Sequence, residues 1–176
     1  MVDILGENVH NRPKHGEVTR MSVQAVRDYL AQYGLSQRVR EFDSSSATVS
    51  LAAQAVGVEE ARIAKTLSFK TPEGGALLVV CAGDARVDNA KFKAAFGFKA
   101  RMLTAGEALD LTGHAVGGVC PFALRPGVRV CLDRALQRFE TVFPAAGSAA
   151  SAVELSMAEL AQTTGGTWVD VCKTAS

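Results

Sequence analysis

The 176 residues carry 19 lysines and arginines against 18 aspartates and glutamates, a net charge of +1, and 48% of them are hydrophobic. That balance excludes the broad basic footprint of a protein that wraps nucleic acid, because phosphate neutralisation supplies most of such affinity; any RNA contact is expected to be local. The mean hydropathy of +0.12, a longest apolar run (Ala76 to Ala82) far short of the roughly 20 residues of a membrane span, and a polar start without a signal-peptide core argue against disorder, membrane insertion and export, and the expected setting is the cytoplasm.

The length suits one domain burying roughly two-thirds of its unfolded surface. Cys81, Cys120, Cys131 and Cys172 are widely spaced, three of them within strand-like apolar stretches. They read as buried thiols in a reducing compartment and not as a disulfide framework.

In chain order, Met1 to Arg20 carry Pro13, Gly16 and two of the three histidines without apolar periodicity, and residues 1–21 read as a loose extension. Val23, Val26, Leu30 and Tyr33 then recur at helical spacing, with Ser22 as the predicted N-cap and Gly34 as the stop. A short strand is predicted at Arg38 to Phe42. Thr48 is placed to cap a helix bearing Val49, Ala52, Ala53 and Val56 and ending at Gly57. Ile63–Lys70 and Ala76–Ala82 flank Pro72, Gly74 and Gly75 as a hairpin, the second strand apolar enough for the centre of a sheet. Asp88 to Phe96 reads as a helix stopped by Gly97. Thr104 with Glu107, and Ser156 with Glu159, form capping boxes for two more helices, the first ending at Gly113 and the second stapled by Leu155 on Leu160. Further strands are predicted at Lys99–Leu103, Val128–Leu132, Thr141–Phe143, Ala152–Leu155 and Trp168–Cys172. The expected class is α+β, a single domain over residues 22–173.

Lys65 shares a strand face with Ile63, Leu67 and Phe69, since residues two apart point the same way. A lysine interrupting an apolar face either snorkels its head to water or is there for its chemistry. In Gly113 to Phe122, paired glycines before a proline allow backbone N–H groups to approach a ligand, as an oxyanion hole requires, though such pairs also mark ordinary turns. Pro144 to Ser151 is a loop of small residues suited to line a tight pocket or merely to connect two strands. Cys120 as a nucleophile would need a base, and His114 is the one histidine beyond the N-terminal stretch. No further spaced ligands complete a metal site around these two, and there is no Gly-x-Ser-x-Gly elbow, Walker loop or dinucleotide fingerprint. Arg86, Lys91, Lys93, Lys99 and Arg101 form the main basic concentration, either a solvated face or a set of phosphate contacts.

Ile63-Ala64-Lys65-Thr66-Leu67, Gly83 to Asp88, Gly117-Gly118-Val119-Cys120-Pro121 and Ala146-Gly147-Ser148 together resemble, in order and spacing, the YbaK/ProX family of aminoacyl-tRNA deacylases, over about Ser22 to Lys173. The resemblance implies a free-standing relative of the editing domain of some prolyl-tRNA synthetases, with a curved mixed sheet flanked by helices and no cofactor or metal. It implies hydrolysis of a prolyl tRNA mischarged with cysteine, alanine or another small amino acid, with the acceptor end of the tRNA as the bound partner and a synthetase or elongation factor assisting a monomer or weak homodimer. The family's key lysine falls on Lys65, and its glycine-rich substrate loops fall on Gly117-Gly118 and Gly147-Ser148, with Cys120 and His114 expected near the substrate. Two departures, Val119-Cys120-Pro121 where many relatives have Ile-Ser-Pro, and Asp43 to Ala47 where many have a histidine-bearing stretch, bear on which amino acid is edited. A reading from another class, a non-catalytic module that binds charged tRNA or an aminoacyl-like small molecule, is separated from an enzyme by turnover.

Overall fold

The computed structural model describes residues 14–44 and 48–174. Its elements in chain order are α1 (His15–Ala31), β1 (Val39–Glu41), α2 (Val49–Val56), β2 (Ile63–Lys70), β3 (Ala76–Ala82), β4 (Ala85–Val87), α3 (Asn89–Phe96), α4 (Ala105–Thr112), β5 (Arg129–Asp133), β6 (Thr141–Pro144), β7 (Ser151–Val153), β8 (Leu155–Ser156), α5 (Met157–Thr164), β9 (Thr167–Val169) and β10 (Cys172–Thr174). Helices α2 to α5 are bounded by local chemistry. Thr48, Asp88, Thr104 and Ser156 each accept a backbone N–H at the N-terminus, and Gly57, Gly97, Gly113 and Gly165 each close the helix in the left-handed conformation.

A six-stranded mixed sheet runs in the order β8-β6-β2-β3-β5-β9, and two antiparallel pairs, β1 with β7 and β4 with β10, extend the strand structure. All of β3 is buried, as a strand covered on both faces must be. On one side Phe92 of α3 packs against Phe69, Phe96 and Phe98 with ring centroids 4.8, 4.7 and 5.6 Å away. Val23, Val26 and Leu30 of α1 enter the same core.

Several boundaries differ from the sequence reading. Helix α1 begins at His15, not after Ser22, so the extension expected over residues 1–21 is helical from His15, and residues 1–13 lie outside the described set. The apolar stripe marks only the buried half of this helix; its first turns are largely exposed and carry no periodic signal. Ser22 is therefore a buried mid-helix residue and not a cap.

The strand expected at Trp168–Cys172 splits, because the buried Asp133 carboxylate accepts the N–H groups of Val171 and Cys172 at 3.0 and 3.1 Å. The chain turns there from β9 into β10, whose partner β4 had no strand prediction. The strand expected at Ala152–Leu155 likewise divides between β7 and β8, which pair with different partners.

The strand expected at Lys99–Leu103 is replaced by a single bridge between Phe69 and Met102. It is flanked by hydrogen bonds from Lys70 N–H to Arg101 O (2.8 Å) and from Leu103 N–H to Ser68 O (3.0 Å). On the same edge of β2, β6 pairs only with Ile63 and Ala64. Between these two attachments the edge of β2 at Lys65–Leu67 has no strand neighbour among the described residues.

Candidate active site

A cavity of about 310 Å³ lies over this unpaired stretch. Strand β2 contributes Ala64, Lys65, Thr66 and Ser68; α2 contributes Val49 and Ala52; Phe143 stands at the end of β6; and the two small-residue loops bring Gly117, Val119, Ser148 and Ala149. Val49 and Ala52 pack with Ile63 and Phe143 in a small apolar cluster of their own. Among the described residues the lining contains hydroxyls and one cation but no carboxylate.

Lys65, half-buried, donates from Nζ to the carbonyl oxygens of Ala85 and, at 3.4 Å, Gly83. Its head is thus neither free in water nor packed on apolar surface. The turn that supplies these carbonyls is itself fixed. A Cβ on Gly83 would stand 2.0 Å from Glu60 O, so only glycine fits there. Next to it, Asp84 forms a fork with Arg138 at 2.6 and 3.0 Å; the guanidinium holds the Asp84 carboxyl below its ordinary pKa. An ammonium has three donors, so two carbonyl contacts leave one for a ligand.

The glycines of the two loops meet each other. A Cβ on Gly118 would lie 2.5 Å from Gly147 O, and one on Gly147, whose φ is +100°, would lie 2.7 Å from Ser22 O of α1. Loop, loop and helix are therefore stacked backbone against backbone. This changes the role expected for Gly118: its N–H donates to Ala115 O at 2.9 Å and is not available as an oxyanion donor. Gly117 lines the cavity, and among the described residues its N–H makes no hydrogen bond.

Ser148 faces the cavity, but its N–H donates to Ser151 Oγ and its own Oγ accepts from Ala150 N–H, each at 3.1 Å. Ser151 is the clasp of this loop: its buried hydroxyl also accepts from Ala146 N–H at 3.1 Å and donates to Ser148 O at 2.9 Å. Sequence reasoning gave Ser151 no part beyond ending the loop.

His114 and Cys120, expected at the substrate, do not line the cavity and are completely buried. His114 Nε2 lies 2.7 Å from Phe122 O. A carbonyl only accepts, so the proton is on Nε2, and Nδ1 accepts from the Ser22 hydroxyl. Burial pushes the imidazole pKa down and keeps it neutral. Cys120 Sγ is 3.5 Å from the already protonated Nε2, and burial raises its thiol to about 12. A protonated thiol beside a nitrogen with no free lone pair is not a nucleophile. The pair instead brackets the Gly113–Phe122 loop onto α1.

The five expected RNA-contacting cations separate. Lys91 is tied to Asp170 at 3.1 Å and to Cys172 O at 3.2 Å. Arg86 projects from β4 and Lys93 from α3, both exposed. Lys99 and Arg101 share an open cleft with Lys70.

Thr66 had no predicted role beyond its place in the lysine motif. It lines the cavity, and its buried Oγ1 is without a hydrogen-bond partner among the described residues. A mid-strand threonine reads as an ordinary β-former, so no local signal marks it.

The aminoacyl-tRNA editing domain family matches residues 43–163. Protein YwhH of Bacillus subtilis (strain 168), whose function is uncharacterised, is 50% identical over 154 residues, which are 87% of this chain and 98% of that protein. EbsC of Enterococcus faecalis (strain ATCC 700802 / V583), a candidate Cys-tRNA(Pro)/Cys-tRNA(Cys) deacylase, is 25% identical over 87% of this chain and 94% of its own. Among solved structures, a candidate trans-editing enzyme for prolyl tRNA synthetase superposes with a TM-score of 0.80 at 32% identity, covering 86% of this chain and 97% of that one.

Proposed function

Because the chain belongs to the aminoacyl-tRNA editing domain family, a family of aminoacyl-tRNA deacylases, we propose that it hydrolyses in trans the ester of a prolyl tRNA mischarged with cysteine, alanine or another small amino acid. The names carried by the Enterococcus faecalis relative and by the solved trans-editing structure support that substrate. So does the cavity, whose volume of about 310 Å³ and largely apolar walls, among them Val49, Ala52, Ile63 and Phe143, suit a small, uncharged side chain. A cytoplasmic setting, with charged tRNA handed over by a prolyl-tRNA synthetase or an elongation factor, goes with the same reading.

The observation that carries it is the Lys65 ammonium, fixed by two backbone carbonyls at the wall of the cavity. An aminoacyl ester is already activated, so the enzyme has to hold it, stabilise the oxyanion and admit a water. Water adds to the ester carbon, the carbonyl oxygen takes up negative charge, and the bond to the ribose oxygen then breaks as that oxygen receives a proton. The third N–H of Lys65 and the N–H of Gly117 are the donors for the developing oxyanion or the terminal phosphate. The ribose hydroxyl beside the ester takes the part of the base that the lining residues do not supply. Anchoring by two carbonyls favours Lys65 as a cation over Lys65 as a base, since both contacts stabilise positive charge.

The test is single-turnover deacylation of prolyl tRNA charged with cysteine, alanine or proline, with thermal melts alongside. Lys65→Ala is expected to melt close to wild type and to lose about 10²-fold or more in kcat/KM, the scale of one preorganised electrostatic contact. Lys65→Arg keeps part of the activity if charge is what matters, because guanidinium does not act as a base in proteins. A folded alanine variant hydrolysing at the wild-type rate sinks the assignment.

A further inference from the structure

Two of the four large hydrophobic side chains most exposed among the described residues, Met102 (53%) and Val116 (60%), stand at the cavity. Apolar groups at a cavity mouth are suited to contact the faces of bases. The strip that carries Met102 continues, one residue back, into the cleft that holds Lys70, Lys99 and Arg101 together with the half-buried Phe98. Cleft and cavity are lined by consecutive residues of one short strip of backbone, pinned to β2 by the Phe69–Met102 bridge and the two hydrogen bonds beside it.

Among the described residues no acidic side chain lines the cleft. Lys70 is shared with Glu107 at 2.8 Å, while Lys99 and Arg101 have no ion-pair partner among the described residues. Cations interleaved with an aromatic ring, leading to a pocket with an apolar rim, match single-stranded nucleic acid: phosphates meet the cations and bases meet the flat or apolar groups.

We infer that this cleft takes the sugar-phosphate backbone of the tRNA 3′ strand, which crosses the Met102–Val116 rim to deliver its terminal ribose ester to the cavity. The inference rests on the reading of the chain as an editing deacylase. It names Lys70, absent from the sequence-predicted contacts, and leaves out Arg86, Lys91 and Lys93. Those three do not line the cleft.

The experiment measures anisotropy of a fluorescein-labelled, uncharged minihelix of prolyl-tRNA acceptor-stem sequence with the full chain, over a salt series. Lys99→Glu and Arg101→Glu are compared with the charge-matched control Arg134→Glu, an exposed residue just after β5 that lines neither cleft nor cavity, and deacylation of mischarged prolyl tRNA is followed in parallel. Each cleft variant is expected to bind about tenfold more weakly, the worth of one charge-assisted contact. Each should also lower the slope of log K against log salt by about 0.7 to 0.9, one phosphate contact, while Arg134→Glu binds like wild type. Failure of the wild type to bind the minihelix, or cleft variants with wild-type affinity and slope, overturns the cleft. Wild-type deacylation that the cleft variants leave at the same KM also overturns it, while the editing reading stands. Cleft-dependent RNA binding by a protein that hydrolyses none of the charged tRNAs supports the cleft and removes the editing reading.

Discussion

Thr66 and Lys65 are neighbours on one strand, yet only the lysine stands out in the sequence, as a charge on an apolar face whose use the family resemblance then implies. Periodicity shows which face a side chain shares, not what waits there. Two carbonyls from a turn eighteen and twenty residues away hold Nζ, and the gap in the β2 edge beneath Thr66 depends on two separate long-range pairings. A buried hydroxyl without a partner costs about 1–3 kcal/mol, so Thr66 should be replaceable without harm to the fold. Thr66→Val, nearly equal in volume, is expected to melt at or above the wild-type temperature. If the hydroxyl is kept for the substrate, the same variant loses about tenfold in kcat/KM, the value of one polar contact, and Thr66→Ser retains most of it. A valine variant with wild-type kcat/KM would assign the orphan hydroxyl no part in the site.

At the scale of elements, helices α2 to α5 were legible because their ends are written locally, in Thr48, Asp88, Thr104 and Ser156 and in the glycines that follow. The strand errors have a different origin. Lys99 to Leu103 alternates like a strand, but β2 is engaged by β6 at its other end and offers that segment only one bridge. The bracketed loop Gly113–Phe122 was legible as glycine-rich, while the use of its residues was not, because the partner of His114 is Ser22, ninety-two positions away. That bracket has a pH signature. Burial lowers the His114 pKa in the fold, whereas the unfolded chain takes up a proton near the ordinary value of about 6.5. The stabilisation is therefore complete above that value. It declines as pH falls below it, by at most about 1.4 kcal/mol per pH unit for one proton, and levels off below the lowered native pKa. Urea titrations of wild type and His114→Gln between pH 8 and pH 5 should show a stability gap that narrows on acidification; a gap independent of pH would mean that the imidazole titrates alike in both states.

For the whole molecule, α1 and the two cavity loops also meet, beside the His114–Ser22 hydrogen bond, in a contact with no side chain in it. Gly118, Gly147 and Ser22 meet through backbone atoms, which is why the sequence shows glycines there but not their purpose. Gly147→Ala places a methyl against Ser22 O and keeps a φ of +100° that alanine rarely adopts, and it is expected to cost about 1–3 kcal/mol and to lower kcat. Gly127, at φ +88° with nothing within 4 Å of a Cβ, is the control: Gly127→Ala carries the backbone strain alone. Equal losses in chemical denaturation would show that the close approach contributes nothing. The other loop contact, the Ser151 hydroxyl that accepts from two N–H groups and donates a hydrogen bond to Ser148 O, bears on the thermodynamics of substrate capture. Fixing a backbone residue costs about 1–2 kcal/mol of entropy. Because Ser151 already fixes the roof of the cavity, that cost falls on the folding equilibrium, and the ester meets a site whose configurational entropy has already been withdrawn.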